Sequence, residues 1–273
     1  MKHQLFCSDF DGTLLGDDFT VSDGNVRAVR DYVSRGGKFV ILTGRMTLNM
    51  DKRAKLLGTE NQDIYVCGFN GGLAVDKNGK VIFEDKINWQ TSYEIVKFAK
   101  QNGFHVHTYD ADHVIIEKRT PITDEYIRIC DITDKVVGDL ADFIEKEKFE
   151  CLKIMMVVPD EKIQKTALER LKAKNFPGVQ FVTSSDTYIE AVPLSGGKEN
   201  GIKRIAEYYG IPLENTIAAG DHLNDVGMIK AAGLGCAVKN ACEAAKNAAD
   251  YICAADNNHD AVKEIIEKFT ENE

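Results

Sequence analysis

The sequence predicts an α/β fold, in which a doubly wound parallel sheet carries an inserted α+β domain. Short apolar runs alternate with helical segments toward both ends of the chain, and this alternation is typical of parallel sheets. Between residues 85 and 188 strands pair with neighbouring strands instead, and helices are mixed among them. We therefore predict a core of residues 1–84 and 189–273 and an insertion of residues 85–188. Because no Pro- or Gly-rich linker flanks the insertion, short connections and a hinged cap are expected.

The N-terminal elements follow from apolar runs and from residues that end helices. Strands are predicted at residues 4–8, 39–42 and 64–67, and a hairpin is predicted over residues 73–75 and 81–83. Ser22 is a candidate N-cap for the first helix, which ends at Gly36. A second helix over residues 46–57 ends at Gly58. The order strand, helix, strand, helix, strand predicts parallel pairing.

The remaining elements divide between the insertion and the second half of the core. In the insertion, strands are predicted at residues 104–109, 114–117, 152–158 and 180–183, and helices near residues 89–101, 139–148 and 160–175. The core is expected to resume at the strand of residues 189–192. Helices at residues 198–209, 225–232, 241–249 and 261–269 then alternate with strands at residues 216–219, 235–238 and 251–252.

The composition disfavours several classes of function. A formal net charge of −9 opposes binding to nucleic acid or to an anionic membrane, because like charges repel. No segment reaches the ~20 apolar residues that a membrane span needs. The seven cysteines are odd in number and none is spaced as a C-x-x-C pair, which predicts free thiols and a cytoplasmic location. Nothing in the sequence indicates the oligomeric state.

Two acidic residues directly follow the first predicted strand. Asp9 and Asp11, in the segment Asp9-Phe10-Asp11-Gly12-Thr13-Leu14, are two positions apart and share one face of an extended chain. Open α/β sheets bind ligands at this edge. Carboxylates this close repel each other unless a cation joins them, and oxygen ligands favour Mg²⁺. The alternative is an acidic surface turn.

A candidate phosphate-binding group combines a second strand end with a helix start. Thr43, Gly44 and Arg45 follow the second predicted strand, where a hydroxyl and helix N-terminal amides could bind a phosphate oxygen. An N-cap threonine is the alternative. Lys198 begins a helix after Gly196 and Gly197 and could add a positive charge. The alternative is a solvated lysine.

The segment Gly220-Asp221-His222-Leu223-Asn224-Asp225 follows another predicted strand. Asp221 and Asp225 are four positions apart, so a turn or helix start could direct both at one cation. A helix with acidic first-turn residues is the alternative, and it explains Asp225 better than Asp221. All four groups belong to one edge of the predicted sheet. Together they supply a nucleophile, a hydroxyl, a lysine and acidic metal ligands, which phosphoryl transfer through a carboxylate requires.

In this order the four groups resemble the motifs of the haloacid dehalogenase-like (HAD) superfamily. The long insertion after the third strand resembles the Cof-type phosphatases of that superfamily, and Asn70 and Gly71 match a further signature. The resemblance covers the whole chain, although the insertion matches by length and position more than by motif. It implies a Rossmann-like core, a cap that sets specificity, and Mg²⁺-dependent hydrolysis of small phosphorylated metabolites such as sugar phosphates or pyridoxal phosphate.

The resemblance also implies roles for individual residues. Asp9 would attack phosphorus and form an aspartyl-phosphate, and Asp11 would act as acid and then as base. Mg²⁺ would bind the Asp9 carboxylate, the Asp11 backbone carbonyl and Asp221, with Asp225 in or next to its coordination sphere. The implied substrate- and phosphate-binding residues are Thr43, Gly44, Arg45, Asn70, Gly71, Lys198 and Asn224.

Other functions stay open. A phosphomutase or phosphotransferase of the same superfamily would pass the phosphoryl group to another hydroxyl, and a non-catalytic protein would only bind a phosphorylated ligand. A signalling receiver domain would be much shorter, and a cation pump needs membrane spans. Glu199 and residues 256–261 depart from the family pattern, which leaves the substrate open. His105 and His107 are expected to be strand histidines rather than metal ligands, and His222 has no assigned role.

Overall fold

The structure is a computed structural model that describes residues 2–47, 50–130 and 132–270. The chain divides into two compact units, one formed by Met1–Phe83 with Gly196–Glu273 and the other by Glu84–Ser195. Each unit has its own sheet and its own apolar core. The predicted fold class is confirmed.

The elements are numbered in chain order. The first segment contains β1 (Leu5–Ser8), α1 (Asp23–Ser34), β2 (Lys38–Leu42), α2 (Asp51–Leu57), β3 (Val66–Gly68), β4 (Leu73–Val75) and β5 (Val81–Glu84). The middle segment contains α3 (Trp89–Gln101), β6 (His105–Tyr109), β7 (His113–Ile116), α4 (Pro121–Cys130), β8 (Thr133–Val136), α5 (Leu140–Glu147), β9 (Ile154–Val157), α6 (Glu161–Lys174), β10 (Val179–Ser185) and β11 (Tyr188–Pro193). The last segment contains α7 (Lys198–Tyr209), β12 (Thr216–Gly220), α8 (Val226–Ala231), β13 (Leu234–Ala237), α9 (Glu243–Ala248), β14 (Tyr251–Ile252) and α10 (Ala261–Thr270).

The first unit is built on an eight-stranded sheet with the order β14-β13-β12-β1-β2-β3-β4-β5. Pairing is parallel from β14 through β3 and becomes antiparallel between β3 and β4. Alternate residues of β1 enter different cores, because neighbouring side chains of a strand point to opposite faces. Phe6 packs with residues of α1 and α10, whereas Leu5 and Cys7 pack with residues of α7. Helices therefore cover both faces, as a doubly wound sheet requires.

The second unit has a six-stranded sheet with the order β10-β11-β9-β6-β7-β8. Its strands pair in antiparallel fashion except for β7 and β8. The predicted boundary at residue 189 was wrong, because β11 pairs with β9 and β10 and residues 189–195 belong to this unit. Neither α4 nor β8 was predicted from the sequence. His107 is fully buried in the sheet and contacts Tyr109.

No disulfide joins the seven cysteines in the described part of the chain. None of the helices there combines the length and the apolar character that crossing a bilayer requires.

Candidate active site

Asp9 lies at the carboxyl end of β1, in the centre of the parallel sheet. Its backbone N–H donates to the carbonyl of Ala219 on β12, 2.8 Å away, so the residue is still fixed by the strand ladder. Its side chain is buried, and the ammonium of Lys198 donates to Oδ1 of Asp9. Lys198 is the first residue of α7 and is only 1% exposed. A buried carboxylate and a buried ammonium from distant parts of the sequence therefore meet at the end of β1.

Two glycines bring the start of α7 close enough for this contact. A Cβ atom on Gly201 would lie 2.9 Å from the Cα atom of Gly71, and one on Gly71 would lie 2.6 Å from the carbonyl oxygen of Gly197. Gly71 also has a φ of 90°, which disfavours other residues. The turn that contains Gly71 and the first turn of α7 are thus in direct backbone contact, which sets the position of Lys198.

Asp225 is fully buried, and both of its carboxylate oxygens accept hydrogen bonds from protein donors. Its Oδ1 accepts a hydrogen bond of 2.6 Å from the Lys198 ammonium. Its Oδ2 accepts from the backbone N–H groups of Asp221 and His222, at 3.0 and 2.9 Å. These contacts hold the turn after β12 and orient Lys198. His222 thus takes part through its backbone N–H, whereas its side chain is exposed.

Asp221 lies beside the turn that follows Asp9. Its Oδ1 accepts a hydrogen bond of 2.9 Å from the hydroxyl of Thr13. Gly12 has a φ of 75°, and a Cβ atom there would lie 2.7 Å from Oδ2 of Asp221. Only glycine fits this approach. No role was predicted for Thr13, although its place two residues after Asp11 in the first motif could have suggested one.

Three carboxylates converge at this edge of the sheet. Asp9, Asp221 and Asp225 each present an oxygen within 4.8 Å of the other two. Burial raises the pKa of Asp9 well above its ordinary value; the Lys198 ammonium lowers it, and the charges of Asp225 and Asp221 raise it. Burial also raises the pKa of Asp221, against the hydrogen bond from Thr13. One ammonium therefore does not offset the negative charge gathered here.

Lys198 stays charged in this environment. Burial by itself would lower the pKa of Lys198, but the neighbouring charges of Asp9 and Asp225 and their hydrogen bonds outweigh it and raise that pKa. Breaking a buried ion pair by removing one partner is strongly destabilising, so the three side chains form one structural unit as well as a chemical one.

Asp11 and Arg45 form an ion pair at the exposed side of the site. Nε of Arg45 donates to Oδ2 of Asp11 at 2.8 Å, and Nη2 donates to Oδ1 at 2.6 Å. The guanidinium carbon also lies 5.5 Å from the ring centroid of Phe10. Arg45, expected to bind phosphate, is thus bonded to the predicted acid–base residue. The Asp11 carboxylate is outside the cluster of Asp9, Asp221 and Asp225.

The remaining predicted residues form a connected rim. The hydroxyl of Thr43, at the end of β2, accepts from the Arg45 N–H at 3.1 Å, and the Thr43 carbonyl accepts from the Asn70 N–H at 2.8 Å. Asn224 donates from Nδ2 to Oδ1 of Asn70 at 3.0 Å. A Cβ atom on Gly44 would lie 3.2 Å from the same oxygen. The sheet and the start of α7 therefore bring all the predicted site residues together at the ends of β1, β2, β3 and β12.

Comparison with known proteins identifies the family. A model of haloacid dehalogenase-like hydrolases matches residues 6–266. The chain belongs to this family. Among its relatives is the 5-amino-6-(5-phospho-D-ribitylamino)uracil phosphatase YcsE of Bacillus subtilis, 29% identical over 250 residues that cover 91% of this chain and 89% of that protein. Phosphatase YwpJ of the same organism is 25% identical and covers 94% of this chain and 96% of its own length.

A solved structure within the family shows the same fold. The haloacid dehalogenase-like hydrolase from Bacteroides thetaiotaomicron superimposes with a TM-score of 0.86 at 25% identity, covering 97% of this chain and 99% of that one. The predicted family and the predicted enzyme class, a hydrolase of phosphate esters, are confirmed.

Proposed function

We propose that the protein is a Mg²⁺-dependent phosphatase that hydrolyses small phosphorylated metabolites through an aspartyl-phosphate on Asp9. One observation carries the proposal: Asp9, Lys198 and Asp221 converge at the carboxyl edge of a single parallel sheet. A buried carboxylate beside an ammonium and a second carboxylate suits nucleophilic attack on phosphorus, provided that a cation offsets the negative charge.

The residues present fit Mg²⁺. The converging donors are all carboxylate oxygens, which Mg²⁺ prefers, and they are gathered on two strand ends that the sheet holds rigidly. Asp9 and Asp221 would hold the ion directly. Asp225 already accepts three hydrogen bonds from protein donors, so we assign it to anchoring Lys198 and the Asp221 turn. When bound, Mg²⁺ would offset the charge of the phosphate and of Asp9.

The side chains would then act in two steps. An oxygen of Asp9 attacks phosphorus, the bond from phosphorus to the ester oxygen breaks, and Asp11 donates a proton to the departing alcohol. In the second step Asp11 takes a proton from water, which attacks phosphorus and releases Asp9. Lys198 stabilises the negative charge on the phosphoryl oxygens throughout. Both oxygens of Asp11 accept a hydrogen bond from Arg45, and each keeps a second lone pair for the proton that either role requires.

The second unit, residues 84–195, is proposed to set substrate specificity as a cap. The relative YcsE is named for a substrate with a phosphorylated ribityl chain. A phosphorylated sugar, polyol or comparable small metabolite is accordingly the substrate class that we propose. The net charge of −9 favours such small substrates over polyanions.

Substitution of the proposed nucleophile tests this function. Asp9→Asn keeps the size of the side chain but removes the attacking oxygen, and we expect hydrolysis of p-nitrophenyl phosphate in Mg²⁺ buffer to fall by roughly 10⁴-fold or more. Asp23→Asn, the same change at an exposed position in α1, is the control and should keep full activity. Acid quenching with a radiolabelled substrate should trap phosphoprotein in the wild type only. An Asp9→Asn variant that turns over at the wild-type rate would exclude the proposed nucleophile.

A further inference from the structure

Asn240 contacts the loop that carries the proposed acid–base residue. It lies after β13, is exposed, and donates from Nδ2 to the carbonyl of Gly12 at 2.8 Å. Gly12 stands between Asp11 and Thr13 and approaches Asp221 closely. Glycine with a positive φ is the least restrained kind of residue in a chain. The loop is already closed by the N–H groups of Leu14 and Leu15, which donate to the Phe10 carbonyl, and the hydrogen bond from Asn240 adds a restraint on the Gly12 peptide plane.

Asn257 holds both Asn240 and the far end of the same loop. It is only 4% exposed, and its Nδ2 donates to the carbonyl of Leu15 at 3.1 Å and to Oδ1 of Asp17 at 2.9 Å. Its backbone N–H donates to Oδ1 of Asn240 at 3.1 Å. This bond also fixes the orientation of the Asn240 amide. The Asn257 N–H is a donor and must face the acceptor Oδ1 of Asn240, so Nδ2 of Asn240 faces Gly12.

Asn258 contacts the outer end of this loop and also donates from Nδ2 to Oδ1 of Asn257 at 3.4 Å. Its Nδ2 donates to Oδ2 of Asp17 at 3.0 Å, and its Oδ1 accepts from the Asp17 N–H at 2.9 Å. The three asparagines therefore form a graded series. Asn240 lies next to the proposed site, Asn257 links Asn240 to the outer end of the loop, and Asn258 is remote from the site.

We propose that Asn240 and Asn257 are positioning residues, which fix the Gly12 peptide and thereby the placement of Asp11 and Thr13 against Asp221. The inference rests on the proposed function. The loop follows the strand of the proposed nucleophile, and a displacement of about 1 Å in such a site can lower the rate ~10²-fold. The contacts come from segments more than 200 residues away in sequence. Strand β1, which ends next to Asp9, therefore does not by itself determine the loop.

The experiment compares Asn240→Ala, Asn240→Asp, Asn257→Ala and Asn258→Ala. We expect Asn240→Ala to lower kcat for p-nitrophenyl phosphate by about 10- to 100-fold with little change in KM or melting temperature, because Asn240 is exposed. Asn240→Asp keeps the acceptor for Asn257 but loses the donor to Gly12, so it should be equally slow. Asn257→Ala should lower both kcat and stability, and Asn258→Ala should resemble the wild type.

Hydrogen exchange of the peptide spanning residues 10–17 gives a readout that does not depend on activity. We expect faster exchange there in Asn240→Ala and unchanged exchange elsewhere. Unchanged exchange, or full activity in Asn240→Ala or Asn240→Asp, would overturn the inference. A loss of kcat in all variants in proportion to their melting temperatures would assign the asparagines a purely structural role. An inactive wild type would instead refute the proposed function, and the exchange result would still decide the inference.

Discussion

Gly201 offers a substitution in which two physical effects oppose each other. It occupies the first turn of α7, three residues after Lys198, and it is buried. Alanine is the better helix former, so Gly201→Ala would by propensity alone stabilise the protein by ~1 kcal/mol. Its Cβ atom, however, would lie 2.9 Å from the Cα atom of Gly71 and 3.0 Å from Cδ1 of Leu42.

The steric effect should prevail. Leu42 can change its rotamer, but the Gly71 contact is with backbone and cannot be relieved by a side-chain rotation. Overpacking of this kind costs about 1–3 kcal/mol, so we expect the free energy of unfolding to fall by roughly 1 kcal/mol after the gain in propensity. Relief requires α7 to move from the Gly71 turn. That movement displaces Lys198 from Asp9 and Asp225, and kcat should fall by about 10-fold or more.

Urea unfolding followed by circular dichroism and steady-state hydrolysis of p-nitrophenyl phosphate would measure both effects. Glu207→Ala, at an exposed position of the same helix, is the matched control and should change neither quantity appreciably. A Gly201→Ala variant that is more stable than the wild type and equally active would show that propensity prevails. In that case the Gly71 contact would not set the position of Lys198.

Two further predictions concern buried polar groups. In Asp225→Asn, the new NH₂ group must face either the Lys198 ammonium or two backbone N–H groups, which are all donors. We therefore expect the free energy of unfolding, measured with urea, to fall by about 3 kcal/mol. A variant as stable as the wild type would refute the anchoring role. Burial lowers the pKa of His107 well below its ordinary 6.5, and the charges of His105 and Lys153 lower it further. As the pH falls below 6.5, His107 takes up a proton in the unfolded chain but not in the folded one. The free energy of unfolding of the wild type should therefore fall, relative to that of His107→Gln, by about 1.4 kcal/mol per pH unit. A difference in unfolding free energy between the two proteins that stays constant from about pH 7.5 to about pH 5.5 would contradict this.

The parallel core was readable from the sequence because its strands are buried on both faces. Residues 5–7 and 217–219 are short apolar runs, and the structure contains β1 and β12 there. The same kind of signal at residues 189–192 led to the wrong prediction that this strand belongs to the core. A central antiparallel strand is also buried, and an apolar run does not reveal which sheet it joins. The edge strand β8 was missed because its residues are largely exposed and show no apolar run.

The location of the site was more predictable than the contacts within it. Strand ends of one parallel sheet must lie on one edge, so Asp9, Thr43 and Asp221 could be grouped from their positions alone. The sequence does not specify which charged groups pair when several lie within reach. The pairing of Arg45 with Asp11 and of Asp225 with Lys198 was therefore not predicted, and the phosphate and metal contacts expected for Arg45 and Asp225 stay predictions.

The charge balance of the site explains why the proposed function requires a cation. Asp9, Asp221 and Asp225 with Lys198 carry a formal charge of −2 when all four are ionised, and Asp11 cancels Arg45. A phosphate dianion would meet this excess at a short distance, where a buried site screens it poorly. A divalent cation would bring the cluster, Lys198 included, to neutrality and remove this repulsion. Under the proposed function, the acidic site is therefore expected to bind an anionic substrate only when a cation is present.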